Sequence, residues 1–399
     1  MIHHTIVVIG AGTAGNTVAA RLCRAGARDV AVVDPYPMHY YQPLWTLVGG
    51  GRASRAASER PRQDVLPVGV HWITDAAEGI DPERRTVLLR ERGPLSYDQL
   101  VVAPGIQLNW DRIPGLQGTI GAHRTASNYR YDLAPLTWEL IRTTAAGTAV
   151  FTMPPGPIKC AGAPQKIAYL AADYWRRQGV LDRIDIHLIV PTPALFGIPQ
   201  FAEILADTAA AYGITVHLST RVTAVDGPAR CVHLHRDDTG EDSVLPYDMA
   251  HFVPPQSAPD WVARSPLAAP DDPGGYVDVD PRTLQHVRHR EIFALGDVAA
   301  TPNSKTGAAV RHQAPIVVAN MKAAYQGLSL PGRYDGYASC PLTLSRRTLL
   351  LAEFDYTGQP APSYPLPWPD TTAPILDFNL FKKVALPVMY WNFMLKGLF

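Results

Sequence analysis

The stretch TIVVIGAGTAGNTVAARLCRAGARDVAVVDP, Thr5 to Pro35, constrains the fold more than any other part of the chain. TIVVI is a continuous apolar, β-branched run, as expected of a parallel strand buried on both faces. A glycine turn, a helical stretch and a second apolar strand follow. Gly10, Gly12 and Gly15 stand at G-x-G-x-x-G spacing. Gly10 permits the tight turn, Gly12 lets a pyrophosphate approach backbone N–H groups at the helix N-terminus, and Gly15 lets helix and strand pack closely. Asp34 ends the second strand, where an acid can bond a ribose 2′-hydroxyl. The pattern predicts an α/β dinucleotide-binding unit.

A second α/β unit is expected from about Ala145 to Asp226, with TAVFTM and IDIHLIV as strands and PQKIAYLAADYWRRQ as a helix between them. The turn after TAVFTM is where another glycine fingerprint could sit. It reads PPGPIKCAGAPQK, with no glycine triplet, and IDIHLIV runs into PTPALFG with no ribose acid. This unit is expected to keep the architecture without a recognisable NAD(P)H site. Cys160 occupies the turn instead.

Two further stretches point to a flavin at the first site. YDQLVVAPGIQ, Tyr97 to Gln107, reads as a strand leaving into a glycine turn. EIFALGDVAATPNSKTGAAV, Glu291 to Val310, reads as a strand ending in Gly-Asp, with a helix starting near Lys305 and Thr306. That Gly-Asp resembles the second flavin signature of flavoproteins with two dinucleotide domains, whose Asp, here Asp297, binds the ribityl chain.

Acidic and basic residues balance at 36 each, and no arginine stripe interleaves with aromatics, so nucleic acid is not an expected partner. The N-terminus lacks a cationic start, apolar run and cleavage site, and no stretch approaches ~18 consecutive apolar residues. A chain inside the cell with peripheral membrane contact is expected.

Four cysteines, at 23, 160, 231 and 340, are too dispersed for a disulfide framework or a C-x-x-C zinc pair. Cys23 reads as a small buried hydrophobe. Cys231, His233 and His235 alternate onto one strand face, but no second ligand group accompanies them, and no metal is expected. Cys160 has Lys159 beside it and a helix start just after it, both of which favour a thiolate. Cys340 lies in YDGYASCPLTL, a turn-like setting. His123 and His312 are read as structural.

The last 70 or so residues change character: a proline-rich connector, PLPWPDTTAP, precedes ILDFNLFKKVALPVMYWNFMLKGLF. Phe378, Phe381, Val384 and Ala385 follow helical spacing. Pro387 is expected to interrupt it. Two interfacial helices are expected, apolar face down, with Lys382, Lys383 and Lys396 at the headgroups. A helix packed on the core or at a dimer contact is the alternative.

Together HYYQPLWTLVGGG, PIKCAGAPQK, SNYRYD, GDVAATPNSKTGAAV, YDGYASCPL, LLAEFDY and MYWNFMLKG resemble sulfide:quinone oxidoreductases, in the branch that includes the mitochondrial enzyme. The resemblance runs from the first strand to the last helix. It implies an α/β fold of two Rossmann-like dinucleotide-binding domains, glutathione-reductase-like, with a C-terminal membrane-interface helical segment. The expected divisions are 1–117 with 250–330 as the FAD-binding domain, 118–249 as the second domain, and 331–399 as the C-terminal region. The resemblance implies noncovalent FAD, hydrogen sulfide and quinone as substrates, a small thiol or sulfide as sulfane acceptor, and redox cysteines at Cys160 and Cys340. It further implies Gly12 and Thr13 at the FAD phosphates, Asp34 at the adenosine ribose, and Gln42 against the cofactor. Ala77 would meet the adenine by its backbone, Asp297 the ribityl and phosphate, and Lys305 the flavin region. The absence of a targeting presequence suggests a bacterial homologue on the cytoplasmic face of the inner membrane, with a homodimer as one assembly.

The implied chemistry has sulfide attack an oxidised cysteine pair, leaving a persulfide on Cys340 while Cys160 faces the flavin. Two alternatives remain open on the sequence. A type II NADH:quinone oxidoreductase shares the scaffold but needs a nicotinamide fingerprint in the second unit. A flavin-bound sulfide sensor would show no quinone turnover.

Overall fold

The apolar runs read from the sequence become two parallel sheets. A computed structural model describes residues 2–363, 373–376 and 381–398, without the side chains of 375, 376 and 381. The first sheet has the order His71–Ile73, Val30–Val33, Ile2–Ile9, Gly93–Val102, Thr86–Leu89, Ala77–Asp81, and Ile292–Ala294 also pairs with Gly93–Val102. The pairs among 71–73, 30–33, 2–9, 93–102 and 292–294 are parallel. The strands at 77–81 and 86–89 add antiparallel pairs at the edge. Val7, Val8 and Ile9 are buried because helices cover one face and the 258–299 segment the other. The helix Thr13–Arg24 packs against the helix Gly307–Tyr325, so both flavin signatures share one side of the sheet. Cys23 is partly buried against this core.

The second sheet is parallel throughout, in the order Thr125–Ala126, Met249–His251, Gly147–Thr152, Ile184–Ile189, Ile214–His217. The boundary expected between 249 and 250 falls inside one of its strands. The main-chain pairing of Ala250 and His251 keeps them in this sheet, and the chain returns to the first unit only after them. Outgoing and returning segments meet as an antiparallel pair, Gln107–Leu108 with Gln256–Ser257.

Beyond the two units, Ala338–Thr343 and Thr348–Phe354 form a hairpin, with Ile375–Leu376 as its third strand. Cys340 therefore stands in a strand rather than a turn. Pro341 is tolerated because this is an edge strand that needs no N–H on its outer side.

The C-terminal segment also differs from expectation. A π-helical turn, Phe381–Ala385, runs straight into the helix Leu386–Asn392. Pro387 does not interrupt it, because it lies in the first turn of that helix, where a missing N–H costs nothing. Tyr390, Trp391, Met394 and Leu395 join the core of the first unit. Lys382 is not at a headgroup position: it is 7% exposed, and its Nζ donates to Thr343 Oγ1 at 2.7 Å and to the Pro341 carbonyl at 3.2 Å. Most of the proline-rich connector, with Phe378, lies outside the described residues.

Candidate active site

The glycine turn of the first unit is built around an open position. The helix Thr13–Arg24 has no side-chain cap at Gly12 and no acid in its first turn, so its positive end is left for a ligand anion. A Cβ at Gly12 would meet nothing within 4 Å. At Gly10, with φ +91°, a Cβ would lie 2.4 Å from the Ala103 carbonyl oxygen, so only glycine closes the turn. This is the cradle that a dinucleotide's pyrophosphate requires, and the residues fit FAD. Asp34, which is buried, accepts the Ala11 N–H at 2.7 Å and the Tyr36 N–H at 2.9 Å. It also pairs with Arg62 at 3.1 Å. Ala77 opens the strand that follows His71–Ile73, whose Ile73 carbonyl accepts the Asp34 N–H. Thr13 Oγ1 lies 2.8 Å from Tyr390 Oη, which in turn bonds His39 Nε2 at 2.6 Å. The C-terminal helix is thereby fastened to the fingerprint.

In the second unit, the turn that could have held a phosphate leaves its own sheet and is pinned to the first unit. The Cys160 N–H donates to the Lys305 carbonyl at 2.9 Å. The Lys159 N–H donates to Gln256 Oε1 at 2.9 Å, and Lys159 Nζ to Gln42 Oε1 at 2.6 Å. Cys160 adopts φ +52°, a strained value for a non-glycine residue. Three residues later the helix Ala163–Gln178 begins.

This geometry brings Cys160 Sγ within 3.2 Å of Cys340 Sγ, both as free cysteines. Gly162 makes the approach possible: a Cβ there would stand 2.1 Å from Leu342 Cδ2 and 3.1 Å from Cys340 Sγ. Lys166, one turn into the helix, donates from Nζ to Cys160 Sγ at 3.0 Å. The hydrogen bond from Cys340 and the Lys166 ammonium hold Cys160 well below the ordinary thiol range, although burial opposes them. Cys340 is shifted the other way, by its bond to Cys160 and by burial, and stays a thiol.

A cavity of about 260 Å³ runs past Cys160. Gln42, Asp297 and Lys305 line it together with Lys159 and Lys166, while Leu386, Met389 and Met394 supply an apolar wall. Burial raises the Asp297 carboxyl, with Lys305 and Lys159 opposing. Lys305 Nζ donates to the Asp297 carbonyl at 2.6 Å and the Ala299 carbonyl at 3.1 Å, and sits 3.8 Å from the Tyr276 ring centroid. Burial lowers Lys159 and Lys305 to about 8 and Lys382 to about 7.

Cys160, Gln42, Asp297 and Lys305 thus converge on one cavity, with Cys340 buried behind Cys160; the glycine turn and Asp34 lie outside its lining. Sequence reasoning missed Lys166 and Gly162, although both lie in the quoted stretch PIKCAGAPQK. A lysine in the first turn of the helix that follows the cysteine was the available signal. It also misread Lys382. Cys231, His233 and His235 do not gather a ligand set among the described residues: His235 is engaged by Asp242 at 2.8 Å.

The whole chain is similar to known proteins. The family model for pyridine nucleotide-disulphide oxidoreductases matches residues 4–320. The chain is 38% identical, over 98% of its length and 86% of the relative's, to the mitochondrial sulfide:quinone oxidoreductase of Dictyostelium discoideum. It is 37% identical to that of Mus musculus, covering 99% and 87% of the two chains. The crystal structure of sulfide:quinone oxidoreductase from Aquifex aeolicus shares the fold, with a TM-score of 0.80 at 20% identity, covering 100% of this chain and 92% of that one. The chain belongs to the sulfide:quinone oxidoreductases of the mitochondrial type, FAD-dependent enzymes of the two-dinucleotide-domain superfamily.

Proposed function

We propose that this chain carries out its family's reaction at Cys160 and Cys340: sulfide is oxidised to sulfane sulfur, and two electrons pass to a quinone. The observation that carries this reading is the meeting of two remote cysteines at 3.2 Å, beside a buried lysine, with Cys160 in the wall of the cavity. At rest the two sulfurs are oxidised, joined directly or through extra sulfur.

Hydrosulfide attacks the sulfur on Cys340. A new S–S bond forms there as a persulfide, the old S–S bond to Cys340 breaks, and Cys160 leaves as a thiolate from a direct disulfide or as a persulfide from a bridge with one extra sulfur. Lys166 stabilises that thiolate. Cys160 is the flavin-side sulfur because it lines the cavity, and Cys340, 1% exposed, lies behind it. The sulfane sulfur then leaves to a small thiol or a second sulfide. FAD, when bound, supplies the two-electron link between sulfur and quinone. Gly10, Gly12, Thr13 and Gly15 would hold its phosphates, Asp34 its adenosine ribose, and Ala77 its adenine by backbone. Asp297 would hold the ribityl chain, with Gln42 and Lys305 beside the flavin.

Quinone is read as entering the cavity from a membrane surface. On the C-terminal segment Leu386, Met389 and Met394 line the cavity, while Val384 and Val388 are 47% and 45% exposed on its outer side. Among the described residues no helix is long and apolar enough to cross a membrane. We therefore read the segment as lying in the interface, on the cytoplasmic face of a bacterial inner membrane, with a homodimer as the assembly. Flotation with anionic lipid vesicles tests the membrane part. The FAD-loaded enzyme should float with them, and the V384E/V388E variant should not. Equal flotation of both would overturn the assignment of this face.

A further inference from the structure

Quinone reduction takes up protons that the sulfur chemistry does not fully supply. Hydrosulfide gives up two electrons and one proton in becoming sulfane sulfur, whereas a quinone takes two electrons and two protons to become a quinol. One proton per turnover must therefore come from solvent.

The cysteine hairpin has two faces. Cys340 pairs with Ala352, and both belong to the core of the second unit. The neighbouring positions Ser339, Pro341, Leu351 and Glu353 line the cavity instead. Glu353 is 2% exposed. Its carboxyl accepts from Tyr337 Oη, from Ser363 Oγ at 2.5 Å and from the Ser363 N–H at 3.3 Å. Among the described residues these side-chain partners are hydroxyls and one amide, not a cation. A carboxyl placed between a cavity and a hydroxyl at the surface can relay a proton from one to the other. Ser363, which is exposed, connects it to solvent. Burial and the bond to Glu353 hold the Tyr337 hydroxyl up at about 12, so it stays a donor. The His312 ring stacks on Tyr337 at 4.0 Å, and the Arg311 guanidinium lies 5.9 Å from the Tyr337 ring centroid.

We propose that Glu353 delivers the solvent proton to the quinone in this cavity. Its O–H bond breaks as a quinone O–H bond forms, and the carboxylate left behind is reprotonated from solvent past Ser363. The inference rests on the reading that quinone occupies the cavity.

The test uses the FAD-loaded enzyme, reduced by sulfide and mixed with a short-chain quinone. E353Q, which keeps the shape and loses the proton, should slow the quinone step on the order of 100-fold. The sulfide step should stay within about twofold, since Glu353 lies on the opposite face of the hairpin from Cys340. A redox-induced infrared difference spectrum should show a carboxyl band in the wild type that E353Q lacks. A wild-type quinone step in E353Q, or the same band in both proteins, overturns the proposal. M389W, which fills the apolar wall, tests the underlying reading separately. An unchanged quinone KM in M389W removes quinone from the cavity, whereas a raised KM with a normal E353Q removes only the proton role.

Discussion

Cys160 and Cys340 are 180 positions apart in the chain, and their sulfurs lie 3.2 Å apart. Three local features produce that distance. A strained backbone at Cys160 turns the loop toward the first unit, Gly162 removes the side chain that would block the approach, and the edge strand Ala338–Thr343 presents Cys340 from the other side.

Gly162→Ala should disturb this pair while sparing cofactor binding. The added Cβ collides with Leu342 and crowds Cys340, pushing the hairpin away. A misplacement of about 1 Å can cost on the order of 100-fold in rate. Anaerobic stopped-flow mixing with sulfide should show that loss at unchanged FAD content.

Lys166→Met should raise the Cys160 thiol toward its ordinary range. In protein first reduced with dithiothreitol, iodoacetamide labelling of Cys160 near neutral pH should slow about tenfold, which corresponds to about 1.4 kcal/mol. Mass spectrometry of the labelled peptide reads the rate. Labelling at the wild-type rate would remove Lys166 from the account.

Gly12→Ala separates binding from folding. A methyl there touches no protein atom, and the backbone is at φ −70°, so the chain should fold with unchanged circular dichroism and thermal midpoint of the apoprotein. The same methyl would stand where the pyrophosphate meets the helix N-terminus. FAD affinity should fall at least about tenfold, the effect of about 1.4 kcal/mol of lost contact, as measured by flavin fluorescence on titration.

Stability should fall in mild acid. Burial lowers His39 and His251 from 6.5 to about 3. The unfolded chain therefore binds protons that the folded chain refuses as pH drops below about 6.5. The stability these groups contribute is complete above that pH and is lost as pH falls toward 3, at roughly 1.4 kcal/mol per histidine per pH unit. The thermal midpoint should drop between pH 7 and pH 5, and His251→Gln should flatten the slope.

The glycine fingerprint and both sheets' central strands were legible because each rests on local pattern: a strand, a turn, a helix start. The pairing of Cys160 with Cys340 was implied by the resemblance rather than by local pattern, which read Cys340 as a turn residue where the structure has a strand. Lys166 was equally local and was passed over because its partner, the sulfur, sits in a strained turn that the sequence does not display. Lys382 and Glu353 were not legible. Lys382 looks like a headgroup lysine until the hairpin carbonyl of Pro341 and the hydroxyl of Thr343 close over it. Glu353 reads as one acid in an apolar strand, and only the pairing opposite Ser339 turns it into the cavity. Pro387 was read as a break because a proline inside a helix and one in its first turn look alike in sequence.

The most direct test of the central claim is an anaerobic titration of the FAD-loaded enzyme with sulfide, followed at the flavin's visible absorbance. Sulfide should bleach the flavin without NADH, and a short-chain quinone should restore it. Cys160→Ser and Cys340→Ser should each abolish the bleaching while keeping FAD bound. Full bleaching in both variants, or bleaching by NADH but not by sulfide, would contradict the cysteine pair as the point where electrons leave sulfide.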